Sequence, residues 1–129
     1  MKMNSTYTRV IELLSKMVSI PSVNPGKGPV SEIHLEQRMA DFLYNYFKEK
    51  EYSYEISYQE VLPKRPNIFV WTGRDPQKKT LLLETHMDTV GIDNMTIDPF
   101  NPIIRDGKLF GRGSCDAKGQ LTAMIVGMG

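Results

Sequence analysis

The chain has 129 residues, with 16 Lys and Arg against 15 Asp and Glu, a formal charge of +1 and 40% hydrophobic residues. That size and balance fit one soluble globular domain and exclude a large multidomain protein or a strongly basic binder of nucleic acid or anionic membrane. The lone cysteine, Cys115, excludes an internal disulfide and a cysteine-rich zinc module, and Lys2, Arg9, Glu12 and Lys16 interrupt the apolar N-terminal stretch, so neither a signal peptide nor a membrane span is expected and a cytoplasmic location is.

Val10, Leu14, Met17 and Val18 recur on one helical face, with Asn4, Ser5 and Thr6 upstream as caps, and predict a first helix over residues 6–18. Pro21, Pro25, Pro29, Gly26 and Gly28 then break regular structure. Ser31 is suited to cap a second helix whose buried stripe is Leu35, Met39, Phe42, Leu43 and Tyr46. From Tyr52 the period falls to two, with Tyr52, Tyr54, Ile56 and Tyr58 on one face, which predicts a strand. Residues 67–72 predict a second strand and residues 73–79 a polar turn. Residues 80–85 predict a third strand, whose run Leu81, Leu82, Leu83 suits a sheet covered on both faces. Ile103–Arg105 and Lys108–Phe110 flank Asp106-Gly107, a two-residue hairpin signal, and a last helix begins near Ala117. Helices among strands point to an α/β fold with a mixed sheet flanked by helices. The last helix is so apolar, from Leu121 through Met128, that it calls for further cover, and residues 1–129 are expected to be the front portion of a longer domain.

Two histidines exist, in different contexts. His34 falls in the expected first turn of the second helix among Glu32, Glu36 and Gln37, and reads as a solvated surface residue. His86 directly follows the Leu81-Leu82-Leu83 run, and Asp88 lies two residues on, on the same side of an extended chain. A carboxylate beside a histidine can hold one ring nitrogen and leave the other for a metal, although a strand-end histidine bonded to a carboxylate for structural reasons has the same signature. The glycine-rich run Gly111-Arg112-Gly113-Ser114-Cys115-Asp116-Ala117-Lys118-Gly119 is a turn into the last helix. As a phosphate cradle it is poorly suited, because Asp116 stands where a third glycine would be and repels phosphate; Asp116 suits a cation. Cys115 as a nucleophile activated by His86 is the third reading, with no orienting group assigned.

Read in order, residues 81–90 around His86-Met87-Asp88, then Asp98-Pro99-Phe100, then residues 106–119 closely resemble the M20 family of metallohydrolases, which includes acetylornithine deacetylase, succinyl-diaminopimelate desuccinylase, aminoacylases and di- and tripeptidases. Ile20-Pro21-Ser22-Val23-Asn24-Pro25 is similar to the N-terminal segment of that family. The resemblance implies a zinc-exopeptidase-like catalytic domain, in which His86 is a ligand of one zinc ion and Asp116 bridges two. It assigns Asp88 to the catalytic set as the residue that orients His86, and it implies a cis peptide bond between Asp116 and Ala117. Co(2+) or Mn(2+) are alternatives to Zn(2+). Gln120 departs from the family pattern, in which a second glycine is common.

On this resemblance the expected activity is zinc-dependent hydrolysis of an amide bond in an N-acyl amino acid or short peptide, with an acetylornithine deacetylase-like substrate. The expected partner is that small molecule, with neither nucleic acid nor membrane, and the full-length protein is expected to be a homodimer. The Glu-Glu pair that supplies the family's general base and a ligand, a further acidic ligand, the final histidine and the lid domain through which members dimerise are not found in residues 1–129. The chain alone is therefore expected to be inactive, and the competing reading is a truncated product that binds metal weakly or serves only as an interaction fragment.

Overall fold

The structure, a computed structural model, describes residues 5–50, 54–73 and 75–128. In chain order it holds α1 (Ser5–Val18), α2 (Gln37–Lys48), β1 (Glu55–Leu62), β2 (Arg65–Trp71), β3 (Ile103–Arg105), β4 (Lys108–Phe110) and α3 (Lys118–Gly127). The class is α/β, as expected. The strands form two antiparallel hairpins, β1 with β2 and β3 with β4, and among the described residues parallel pairing is confined to single bridges from Val23 to His34 and to Thr89. No helix among the described residues is long and apolar enough to cross a membrane.

Each helix buries the face its spacing dictates. In α1 the stripe is Val10, Leu13, Met17 and Val18, so the buried leucine is Leu13 and the expected Leu14 is only half-buried. α1 packs against α3, where Ile125 and Val126 join Met17, Met39, Leu43 and Phe47 in one core cluster. α2 covers the β1–β2 hairpin. Tyr54, Ile56, Ile68 and Val70 alternate onto that helix, and the Phe47 ring meets Tyr54 edge-on at 5.1 Å. Tyr52, the first residue of the expected alternation, lies outside the described residues.

The second helix begins five residues later than expected, at Gln37 with Glu36 in the cap position rather than Ser31. Residues 31–36 are used otherwise. The Val23 N–H bonds to the Ile33 carbonyl at 2.9 Å, the Leu35 N–H bonds back to Val23 at 3.1 Å, and Leu35 takes φ +77°. The Ser31 N–H donates to His34 Nδ1 at 2.9 Å, so His34 sits in a turn ahead of the helix and not within it. Glu36 then stands at the helix start, but its carboxylate receives a forked bond from Arg65, with Nε to Oε2 at 2.8 Å, and makes no cap.

The largest difference is at residues 80–85. No strand forms there, and Leu81, Leu82 and Leu83 are 82%, 73% and 45% exposed. An apolar run creates a demand for cover, but a strand exists only where another backbone supplies a ladder. β1 pairs only with β2 and β3 only with β4, and among the described residues the segment's first pairing comes only at Thr89.

The Asp106-Gly107 hairpin forms as read, with Ile103 opposite Phe110 and both turn residues at positive φ, +52° and +72°, as a type I′ turn requires. Elsewhere Tyr58 closes the α2–β1 contact. Its hydroxyl donates to the Ala40 carbonyl at 3.3 Å and to Asp41 Oδ1 at 3.4 Å, and its ring stacks on Tyr44. Burial, then the Asp41 charge and hydrogen bond, push its phenol from 10.0 up to about 12. Because the folded value is the higher one, this contribution to stability is intact below pH 10 and is lost as pH rises through about 12. Subtracting the tyrosinate absorbance titration of Tyr58→Phe from that of the parent should leave a transition near pH 12; a difference centred near pH 10 would refute the contact.

Candidate active site

Three segments distant in sequence meet at one end of the molecule: the loop after α1, the extended chain at residues 86–91, and the glycine-rich turn that enters α3. The first two are laced by backbone. The Thr89 N–H donates to the Ser22 carbonyl at 2.9 Å and the Asn24 N–H to the Thr89 carbonyl at 2.8 Å, while Ser22 Oγ donates to the Met87 carbonyl at 2.7 Å. Ser22, Val23 and Thr89 are all buried. This lacing keeps residues 86–89 extended although no strand precedes them.

The third segment is held from below by Lys118. Its side chain is fully buried, and its ammonium donates to the Ile20 carbonyl at 2.7 Å, which ties the first turn of α3 to the end of α1. Burial pushes this amine from 10.5 down to about 8. Gly113 lies flat against both Lys118 and Thr89, and its carbonyl accepts the Lys118 N–H at 3.0 Å. The Asp116–Ala117 peptide bond is cis, as the resemblance implies.

On this frame the three predicted site residues come together. His86 Nδ1 contacts Asp88 Oδ1 and the Asp88 carbonyl oxygen, each at 3.0 Å, and His86 Nε2 faces Asp116 Oδ1 at 3.0 Å. A carbonyl oxygen only accepts, so Nδ1 carries the proton. In the neutral ring Nε2 is then a lone pair directed at a carboxylate oxygen, an arrangement that needs either a second proton or a cation. Burial works against the charged ring, yet the bonds to the Asp88 carbonyl and to Asp116, with the charge of Asp88, hold His86 above its ordinary value. Both ring nitrogens have an aspartate oxygen at 3.0 Å, and Cys115 is an exposed free thiol.

These groups border an open cleft of about 340 Å³ lined by Asn24, Gly26, His86, Asp88, Thr89, Val90, Gly91 and Asp116, within the size range of small-molecule sites. The donor chemistry suits a divalent cation. A neutral imidazole nitrogen and a carboxylate oxygen are ordinary zinc donors, and here they face each other at 3.0 Å. Among the described residues no group of three or more His, Cys, Asp or Glu side chains converges as a metal site.

Sequence reasoning singled out His86, Asp88 and Asp116 but not their supports, Ser22, Asn24, Thr89, Gly113 and Lys118. The signals for these were faint. Lys118 is a lone cation at the start of an apolar helix, and Asn24 precedes Pro25-Gly26 as a turn residue would; nothing local announces that Asn24 faces Asp88, 64 residues away.

Residues 82–128 match the sequence model of peptidase family M20/M25/M40. The match takes in His86, Asp88, the β3–β4 hairpin, the glycine-rich turn and all of α3. It points to hydrolase chemistry of the metallopeptidase kind.

Proposed function

We propose, from the match over residues 82–128 and the geometry around His86, that this chain carries part of the active site of a metal-dependent amide hydrolase acting on an N-acyl amino acid or short peptide, in the manner of an acetylornithine deacetylase. The observation that carries the reading is the approach of His86 Nε2 to Asp116 Oδ1 at 3.0 Å while Nδ1 is held by Asp88. In this reading His86 and Asp116 would hold the metal, and Asp88 fixes the His86 tautomer. A bound pair of divalent ions would supply an activated water and polarise the scissile carbonyl.

The chain's own residues do the rest. Asp88 keeps the Nδ1 proton in place, so Nε2 is presented as a lone pair and needs no ring rotation before binding. Asn24, Gly26, Val90 and Gly91 form the wall against which a small acyl substrate would lie. The 129 residues alone should show no turnover, since the cleft presents two donors and no separate carboxylate within it is free to act as general base.

Titration calorimetry with Zn(2+) or Co(2+) tests the assignment. His86→Ala or Asp116→Ala should weaken affinity at least about 100-fold, and Asp88→Asn about 10- to 100-fold by freeing the ring. If His86→Ala and Asp116→Ala bind metal as the parent does, the metal assignment fails. Release of ornithine from N-acetylornithine by the 129-residue chain would overturn the inactivity of these residues alone.

A further inference from the structure

Among the described residues, Asn24 is the side chain from outside the His86 segment that hydrogen-bonds Asp88. Its Nδ2 donates to Asp88 Oδ2 at 2.8 Å, and its Oδ1 accepts the Gly26 N–H at 2.9 Å. The two bonds define each other. The Gly26 N–H can only donate and an ionised carboxylate can only accept, so the amide has a single orientation that satisfies both, with Nδ2 toward Asp88. The backbone on either side is pinned as well, through the Asn24 N–H to the Thr89 carbonyl at 2.8 Å and the Thr89 N–H to Ser22 at 2.9 Å. Asp88 is therefore held at both oxygens, Oδ2 by Asn24 and Oδ1 by the His86 Nδ1–H.

We propose that Asn24 is a positioning residue for His86, acting through Asp88: by occupying Oδ2 it fixes the carboxylate plane so that Oδ1 receives the His86 Nδ1–H and Nε2 is presented to the cleft. The consequence for metal binding rests on the function proposed above; the effect on the ring does not. An amide is the side chain this position requires. Aspartate has the same shape and can still accept the Gly26 N–H, but it offers Asp88 a second carboxylate where a donor is needed. Alanine loses both bonds.

The protein carries an internal reference. His34 Nδ1 accepts the Ser31 N–H at 2.9 Å, so His34 has the opposite tautomer, protonated at Nε2, and it lies outside the Asn24–Asp88 chain. With two histidines in the sequence, long-range proton–nitrogen NMR of the 129-residue chain resolves both rings. Recorded without metal, the parent should show Nδ1–H as the major neutral tautomer of His86, favoured by the two Asp88 acceptors over the single Asp116 oxygen at Nε2. Asn24→Asp and Asn24→Ala should both raise the Nε2–H share at His86 and leave His34 unchanged, and Zn(2+) affinity by calorimetry should fall about tenfold in each.

The aspartate variant separates positioning from support of the turn, because it preserves the turn. If Asn24→Asp keeps the parent His86 tautomer, the proposal is overturned and Asn24 is only a turn residue. If Zn(2+) binds neither parent nor variant while the His86 tautomer still responds to Asn24, the metal-site reading fails and the positioning role stands.

Discussion

Gly113→Ala should lower the free energy of unfolding by about 3 kcal/mol, through two separable terms. Gly113 sits at φ +83°, where an L side chain costs about 1 kcal/mol. The added Cβ would also lie 2.7 Å from Thr89 Cγ2 and 3.1 Å from Lys118 Cδ. Neither neighbour yields easily, because Thr89 is laced by its backbone to Ser22 and Asn24 and Lys118 is tethered at its ammonium to Ile20. Overpacking a site of this kind costs about 1–3 kcal/mol. Gly26→Ala is the matched control, since Gly26 has φ +56° and open space where its Cβ would go, so only the backbone term of about 1 kcal/mol applies. Urea unfolding of both variants measures the difference. Equal losses would mean that Thr89 and Lys118 give way, and that the glycine-rich turn is not wedged against the His86 segment as described. A displaced Thr89 would also carry Asp88 with it, so Gly113→Ala should weaken metal binding in parallel.

Glu36→Ala should cost about 3–4 kcal/mol, the usual range when one member of a largely buried ion pair is removed. Glu36 is 7% exposed and receives the Arg65 guanidinium through both Nε and Nη2. That fork joins the start of α2 to the start of β2, and it holds the Arg65 guanidinium charged, above its ordinary value. Removing the carboxylate takes away the bonded counter-charge and leaves the half-enclosed guanidinium only the electrostatic attraction of Asp88. The double change Glu36→Ala with Arg65→Met removes both charges, so it should lose less than Glu36→Ala alone. Chemical denaturation of the two variants decides this. If the double variant is the less stable, the fork contributes more than the cost of desolvating it, and the account of the α2–β2 junction is wrong.

Readings that depend on neighbours in sequence were sound: the α1 and α3 spans, the alternation of Tyr54 and Ile56, the Asp106-Gly107 turn, and His86 and Asp88 on one side of an extended chain. These are set by periodicity and turn chemistry within a few residues. The start of α2 and the strand at residues 80–85 were misread, because each depends on a distant partner. Val23 takes up the backbone of residues 33–35 and removes the Ser31 cap, and the Leu81-Leu83 run finds no ladder among the described residues.

The candidate site divides in the same way. From sequence alone came the donor types, His86 and Asp116, and the likeness of their surroundings to a family of metallohydrolases, a likeness that the match over residues 82–128 supports. Residue chemistry and short spacing suffice for that, since what a group can donate or accept belongs to the group itself. Only the tertiary structure decided that Nε2 of His86 stands 3.0 Å from Asp116, 30 residues away, and that Asn24, Thr89 and the buried ammonium of Lys118 hold the arrangement in place. Those contacts arise when the loop after α1, the segment at residues 86–91 and the turn into α3 are packed together, and a pairing formed by packing leaves no periodic mark along the chain.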